Sequence, residues 1–253
     1  MKRVLAVGGS DSGGGAGIQA DLKTLHVLGV HGSTVVTAVT AQDSVGVHAV
    51  HEVPSAVVTA QLTAVLGDLG ADVVKTGMLP SAGVVRAVID AIGSLPLVVD
   101  PVGMSSSGHS LTSPEALALL RSDLLPLATV VTPNLAEVQA LTGVAVSERE
   151  GLLAAVQAVH ALGPRWVLVT GGHLPGPPVD LLYDGAVATA LVGTRLDTPH
   201  THGTGCTLAS ALAAYLALGF DVPEAARLAK AFVTKAISNG YPVGRGPGPV
   251  RQA

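Results

Sequence analysis

Val4-Leu5-Ala6-Val7-Gly8-Gly9-Ser10-Asp11-Ser12-Gly13-Gly14-Gly15-Ala16-Gly17-Ile18 compresses a strand, a turn and the start of a helix into one stretch. The apolar run Val4 to Val7 reads as a buried strand, and Gly8 to Gly15 as a glycine-rich loop. From Gly17 a helix follows, with Ile18, Leu22, Leu25 and Leu28 on one stripe and Gly29 as its stop. The same alternation repeats outward from it. Thr34 to Val39 reads as a second strand, running into Thr40-Ala41-Gln42. Pro54 opens a helix carrying Val57, Val58, Leu62, Val65 and Leu69, and Val73-Val74-Lys75 is a short strand ending at Gly77-Met78. Helix Ala82–Ile92 leads to strand Leu97–Val99 and Asp100-Pro101. Ser113-Pro114 caps a further helix, strand Thr129–Val131 ends on Thr132-Pro133-Asn134, and Leu135, Val138 and Leu141 begin a helix closed by Gly143. Helix Leu152–Leu162 precedes strand Trp166–Val169, which ends on Thr170-Gly171-Gly172-His173. Then the rhythm changes: Val179–Tyr183, Asp184-Gly185 and Ala186–Val192 read as a hairpin, before a helix at Cys206 and a last one over Pro223–Ser238.

Such repetition predicts an α/β fold, a three-layer α/β/α sandwich with a mostly parallel central sheet and a late antiparallel hairpin. In sheets of this type ligands bind outside the carboxyl ends of the strands. The polar punctuation falls there: Gly9-Ser10-Asp11, Gln42, Met78, Asp100, then Asn134 and Glu137.

The 253 residues carry no linker composition, so one domain over 1–253 is expected. With 48% hydrophobic but 2% aromatic residues the core is built of Val, Leu, Ala and Ile, and 13% charged residues is low enough to leave room for a buried subunit interface. A net charge of −4 without any Lys/Arg cluster argues against a nucleic-acid partner. The single cysteine excludes an intrachain disulfide framework. No apolar run reaches the roughly 18 residues of a membrane span, and the N-terminus lacks the pattern of a signal peptide. Cytoplasm is the expected location.

His202-Gly203-Thr204-Gly205-Cys206-Thr207 joins a glycine-rich turn to a helix that continues through Leu208, Ala209, Leu212, Ala213 and Leu216. A helix starting at Gly203 or Thr204 aims unpaired N–H groups and its positive end at whatever lies before it, which makes an anion site. Cys206 in the first turn is expected to be favoured as thiolate. Read by itself, the stretch is equally a plain helix start with Cys206 as a small core residue. Asp100 and Glu137, each just past a strand, could share a divalent cation, Mg²⁺ with nucleotide phosphates being the natural candidate; a turn cap and a surface charge are the bland alternatives. The first loop lacks the lysine of a P-loop and the carboxylate of a dinucleotide fingerprint. His200 and His202 have no third ligand at metal spacing.

Taken together, Gly9 to Asp21, Thr37 to Gln42, Asp100-Pro101-Val102, Thr132-Pro133-Asn134-Leu135-x-Glu137, Gly171-Gly172-His173, His202 to Thr207 and Val243-Gly244-Arg245-Gly246-x-Gly248-Pro249 resemble the hydroxymethylpyrimidine/phosphomethylpyrimidine kinases of thiamine synthesis, in the ribokinase-like superfamily. The resemblance implies a ribokinase-like fold, ATP and Mg²⁺, a small pyrimidine substrate and a homodimer. It implies two phosphorylations, of 4-amino-5-hydroxymethyl-2-methylpyrimidine and then of its monophosphate. The family's pyrimidine pocket falls on Gly9, Ala16, Gln42, Met78 and Val102, where Met78 and Val102 can sandwich a flat ring and the Gln42 amide can meet its polar edge. Cys206 takes the place of a superfamily aspartate base, with the N–H groups of Gly203 to Cys206 holding charge on the transferred phosphoryl. Asn134, Glu137, Thr170 and Thr204 fall on the nucleotide side, with Asp100 and Glu137 as metal ligands.

The sequence departs from the pattern at several points. Thr76, Pro80 and Gly103 replace the usual Ile, Gly and Met. Thr170 stands where a phosphate-approaching Lys is usual, which leaves Lys75, Lys230 or Lys235 to compensate. Pyridoxal kinase is the nearest rival reading, and a non-catalytic pyrimidine-binding sensor the rival from another class.

Overall fold

The computed structural model describes residues 1–104, 108 and 111–253. Among these residues, nine strands join one sheet in the order β3-β2-β1-β4-β5-β6-β7-β8-β9. Strands β1 (Arg3–Asp11), β2 (His31–Gln42), β4 (Val73–Thr76), β5 (Leu97–Val99), β6 (Val130–Val131) and β7 (Trp166–Val169) are parallel neighbours. The hairpin β8 (Val179–Tyr183) and β9 (Ala188–Val192) runs antiparallel at one edge.

The central strands are apolar on both faces because helices cover both. Strand periodicity divides their side chains: Leu5, Val74 and Val99 enter one core, Val4, Val73 and Val98 the other. The first core is closed by α2 (Ser55–Ala64), α3 (Ala82–Ile92), α4 (Pro114–Leu119), α5 (Leu135–Thr142) and α6 (Leu152–His160). The second is closed by α1 (Gly17–Val27), α7 (Thr204–Ala217) and α8 (Val222–Ser238). Alanines dominate the buried face of α7 and α8, so the two helices pack closely on each other and on the sheet. No helix among the described residues is long and apolar enough to cross a membrane.

Three local expectations are corrected. The first loop is shorter than its glycines suggest, since β1 continues through Gly8, Gly9 and Ser10 to Asp11, paired to β2 across a register shift at Gly8/Gly9. A strand unmarked by apolar alternation, β3 (Val47–Glu52), pairs antiparallel with β2 and is exposed along nearly its whole length, so no buried face announces it. Leu22, Val57 and Leu69, expected on buried stripes, are exposed.

The order β3-β2-β1-β4 places a topological switch point at the carboxyl ends of β1 and β4, because the chain moves to one side after β1 and crosses to the other after β3. At the usual strand spacing the six parallel strands present an edge roughly 24 Å across.

Candidate active site

One cavity of about 1250 Å³ runs along that edge, larger than the roughly 300–1,000 Å³ typical of a cleft for one small ligand. Gly9, Ala16, Gln42, Met78, Val102, Asp100, Asn134, Glu137, Thr170, Gly203, Thr204, Gly205 and Cys206 all line it. Strand order sets their sequence across the edge: Gln42 ends β2, Met78 follows β4, Asp100 follows β5, Asn134 follows β6 and Thr170 follows β7.

At the Gln42 end the first loop is folded around a carboxylate. Asp11 Oδ1 accepts from Gly13 N–H at 2.8 Å, and Oδ2 accepts from Gly15 and Ala16 N–H at 3.0 and 2.8 Å. His202 Nε2 lies 3.2 Å from the same Oδ2 and 3.4 Å from Gln42 Nε2. Burial works to raise the Asp11 pKa, but the His202 contact and the Ala16 and Gly13 N–H groups outweigh it and hold the carboxyl below its ordinary value. Asp11 therefore ties the loop to the turn before α7. The Ala16 N–H is engaged in this way and is not free for a ligand. His200 Nδ1 accepts from Gly248 N–H at 3.0 Å, so the two histidines are structural.

Gln42 Oε1 accepts from the Thr40 hydroxyl at 3.2 Å. Met78 packs on the backbone opposite: a Cβ on Gly9 would stand 2.9 Å from its sulfur. Val102 is half-buried and lines the same cavity.

Between the two ends α7 begins. Gly203, its N-cap, has φ +83°, and a Cβ there would stand 1.9 Å from Gly15 O. Gly205 faces Asp100, whose Oδ2 would lie 3.9 Å from an added Cβ. The Thr204 hydroxyl donates to Thr201 O at 2.7 Å. Cys206 borders the cavity and is half-buried. Contrary to the expected thiolate, burial pushes the Cys206 thiol up to about 12, with Asp21 and Asp100 adding to the rise and Lys75 opposing it. Loss of solvation outweighs the field of the helix's first turn.

Beyond it sit the carboxylates. Burial pushes Asp100 up to about 6, against the Lys75 charge. Burial and the neighbouring Asp100 push Glu137 up to about 8. Asn134 and Glu137 form a reciprocal cap on α5: Asn134 N–H donates to Glu137 Oε2 at 2.8 Å, and Glu137 N–H to Asn134 Oδ1 at 3.0 Å. The Asn134 amide oxygen is thereby committed to the helix. Among the described residues no three His, Cys, Asp or Glu side chains could hold a metal ion by themselves. Two buried, mutually repelling carboxylates do fit Mg²⁺, which takes one or two protein carboxylates and completes its shell with phosphate oxygens and water.

At the Thr170 end the cations are paired. Lys230 Nζ donates to Asp180 Oδ2 at 2.6 Å, while Asp180 Oδ1 accepts from Gly171 N–H at 3.1 Å. Arg195, which the sequence reading passed over, lines the cavity and donates to the carbonyls of Gly172, Leu174 and Gly176. Lys235 is exposed on α8. Positive charge is thus brought to this end by Lys230 and Arg195, and to the centre by Lys75.

The class these features define is a small-molecule kinase of ribokinase-like architecture, with a helix N-terminus suited to phosphate opening onto the switch point of the sheet. The family model described as phosphomethylpyrimidine kinase matches residues 11–251, and the chain belongs to that family. It is 56% identical over 249 residues to a hydroxymethylpyrimidine/phosphomethylpyrimidine kinase of Streptomyces coelicolor, covering 98% of this chain and 93% of that one. It is 49% identical to the thiamine biosynthesis bifunctional protein ThiED of Geobacter sulfurreducens, covering 98% of this chain and 51% of that one. Its fold matches an ADP complex of Bacillus subtilis pyridoxal kinase with a TM-score of 0.94 and 40% identity, over 100% of this chain and 97% of that one.

Proposed function

We propose that this kinase transfers the terminal phosphoryl group of ATP to the hydroxymethyl group of 4-amino-5-hydroxymethyl-2-methylpyrimidine, and then to the phosphate of the monophosphate, in thiamine biosynthesis. The observation that carries this reading is one continuous cavity that borders Gln42 and Met78, Glu137 and Thr170, and the start of α7, with room for a ring and a nucleotide together. Met78 and Val102 sandwich the ring, and the Gln42 amide donates to its polar edge. The N–H groups of Gly203 to Cys206 hold the charge that spreads over the transferred group.

Cys206 is the general base of this reading. Its sulfur, as thiolate, takes the proton from the substrate hydroxyl as the oxygen joins phosphorus. With the thiol near 12, the thiolate is scarce at neutral pH. In this reading the step draws on that small ionised fraction, so the rate rises with pH as the fraction grows. Asp100 and Glu137 would hold Mg²⁺, which when bound orients and shields the nucleotide phosphates. A homodimer belongs to the same reading; Val187 and Val192, exposed beside and on edge strand β9, support a covered edge.

Pyridoxal is the second substrate reading, favoured by the match to pyridoxal kinase. Incubation of the purified protein with Mg-ATP and either the pyrimidine alcohol or pyridoxal separates them. ADP with both mono- and diphosphate products is expected from the pyrimidine. ADP formed with pyridoxal alone would overturn the substrate, and none with either would leave a sensor.

A further inference from the structure

Helices α1 and α7 meet beneath the cavity in two matched rungs. Gly17 and Asp21 are four residues apart on α1, as Cys206 and Ser210 are on α7, so each pair lies along one helix face. The upper rung, Gly17 and Cys206, lines the cavity. In the lower rung Asp21 Oδ1 accepts from the Ser210 hydroxyl at 2.7 Å. Strand β4 inserts Lys75 into that lower rung, where its Nζ donates to the same Asp21 oxygen at 2.8 Å.

Asp21, Lys75 and Ser210 are all withdrawn from solvent, Asp21 and Ser210 at 0% and Lys75 at 1% exposure. Asp21 and Lys75 nonetheless border the cavity. Burying an ion pair rarely stabilises a fold unless every polar atom is satisfied. Here one is not, since Asp21 Oδ2 has no hydrogen-bond partner. Stability is therefore a poor reason for the pair. What it accomplishes is to hold an ammonium on the oxygen that also binds Ser210, one helical turn along α7 from Cys206.

We propose that Lys75, steadied by Asp21 and Ser210, is the counter-charge for negative charge on Cys206: a positioning residue that acts through the sulfur and does not itself touch the substrate. The proposal rests on the reading of Cys206 as base. In that step the substrate O–H bond breaks and an S–H bond forms, while the freed oxygen bonds to phosphorus and the bond from phosphorus to the departing ADP breaks. Lys75 keeps its protons throughout. The charged groups bearing on the sulfur are Lys75 from β4, Asp21 from α1 and Asp100 after β5, and of these Lys75 alone favours the thiolate.

The chain has one cysteine, so the rate of alkylation by iodoacetamide at pH 8 reports on Cys206 alone, through its thiolate fraction and its accessibility. Lys75→Met is expected to slow alkylation by about tenfold or more, the equivalent of one pKa unit, and to lower kcat in parallel. Because Lys75→Met leaves Asp21 charged and unpaired, the double variant Lys75→Met/Asp21→Asn, which buries no unpaired charge, serves beside it and decides the matter where the single variant does not fold. It is also expected to be slower than the unmodified protein, since the Lys75 influence on the thiol exceeds that of Asp21. A pair with a merely structural role would loosen the packing on its removal and speed alkylation. A folded variant reacting as fast as, or faster than, the unmodified protein would overturn the proposal. Failure of the base reading shows separately, as near-normal kcat in Cys206→Ala.

Discussion

Cys206→Ala is expected to lower kcat by roughly 10²–10⁴-fold, the usual contribution of a positioned base, while the fold and the KM for the pyrimidine stay close to those of the unmodified protein. The sulfur is half-buried and borders the cavity. Removing it enlarges an existing space, and the cost to stability is correspondingly small. Gly203 to Cys206 keep their backbone N–H groups in the variant, so stabilisation of the transferred phosphoryl survives and some activity with it. Steady-state kinetics together with a thermal melt separate the two effects. A kcat within a few-fold of the unmodified protein would remove Cys206 from the mechanism and leave the α7 N-terminus alone to carry it.

The second large effect is expected at Gly203. Its φ of +83° is a left-handed conformation, costing an alanine roughly 1–2 kcal/mol. The added Cβ would also lie 1.9 Å from a backbone oxygen, Gly15 O, which no side-chain rotation relieves. Either the first loop or the start of α7 must move. Because Asp11 and His202 bind those two segments together, a shift of about 1 Å is transmitted to the Gln42 pocket and to Cys206 alike, and such a misplacement costs about 10²-fold in rate. Gly203→Ala is therefore expected to lower kcat/KM by about 10²-fold and to reduce the melting temperature. Gly205→Ala is the contrast: its Cβ meets Asp100 Oδ2 at 3.9 Å, an ordinary contact, and in a helix alanine is favoured over glycine by roughly 0.5–1 kcal/mol. Equal tolerance at the two glycines would contradict the contact described between loop and helix.

The parallel strands and most helices were legible because burial on both faces writes continuous apolar runs such as Leu97–Val99 and Trp166–Val169, bounded by turn residues. Strand β3 was not, since its side chains face solvent and its pairing with β2 is through backbone. Gly9, Gln42, Met78, Asp100, Asn134 and Glu137 followed from strand endings, Gly203 to Cys206 from a helix start, and Ala16, Val102 and Thr170 from the family resemblance; every one of them borders the cavity. Their hydrogen bonds did not follow. That Asp11 folds the first loop about itself depends on His202, far away in the chain. The direction of the Cys206 shift was misjudged for a related reason: sequence spacing shows the helix start that favours a thiolate but not the packing of α1, β4 and β5 around it, which opposes one. Asp21 and Lys75 lay in recognised stretches, yet only three-dimensional packing brings them onto one oxygen with Ser210.

The central claim is that the α7 cysteine receives the substrate's proton, and the pH dependence of kcat tests it most directly. The Cys206 thiol, pushed up to about 12, should shape the alkaline side of the profile. In the unmodified protein kcat is predicted to continue rising beyond pH 9, whereas Cys206→Ala should lack that rise. Profiles of the same shape in both proteins would contradict the account.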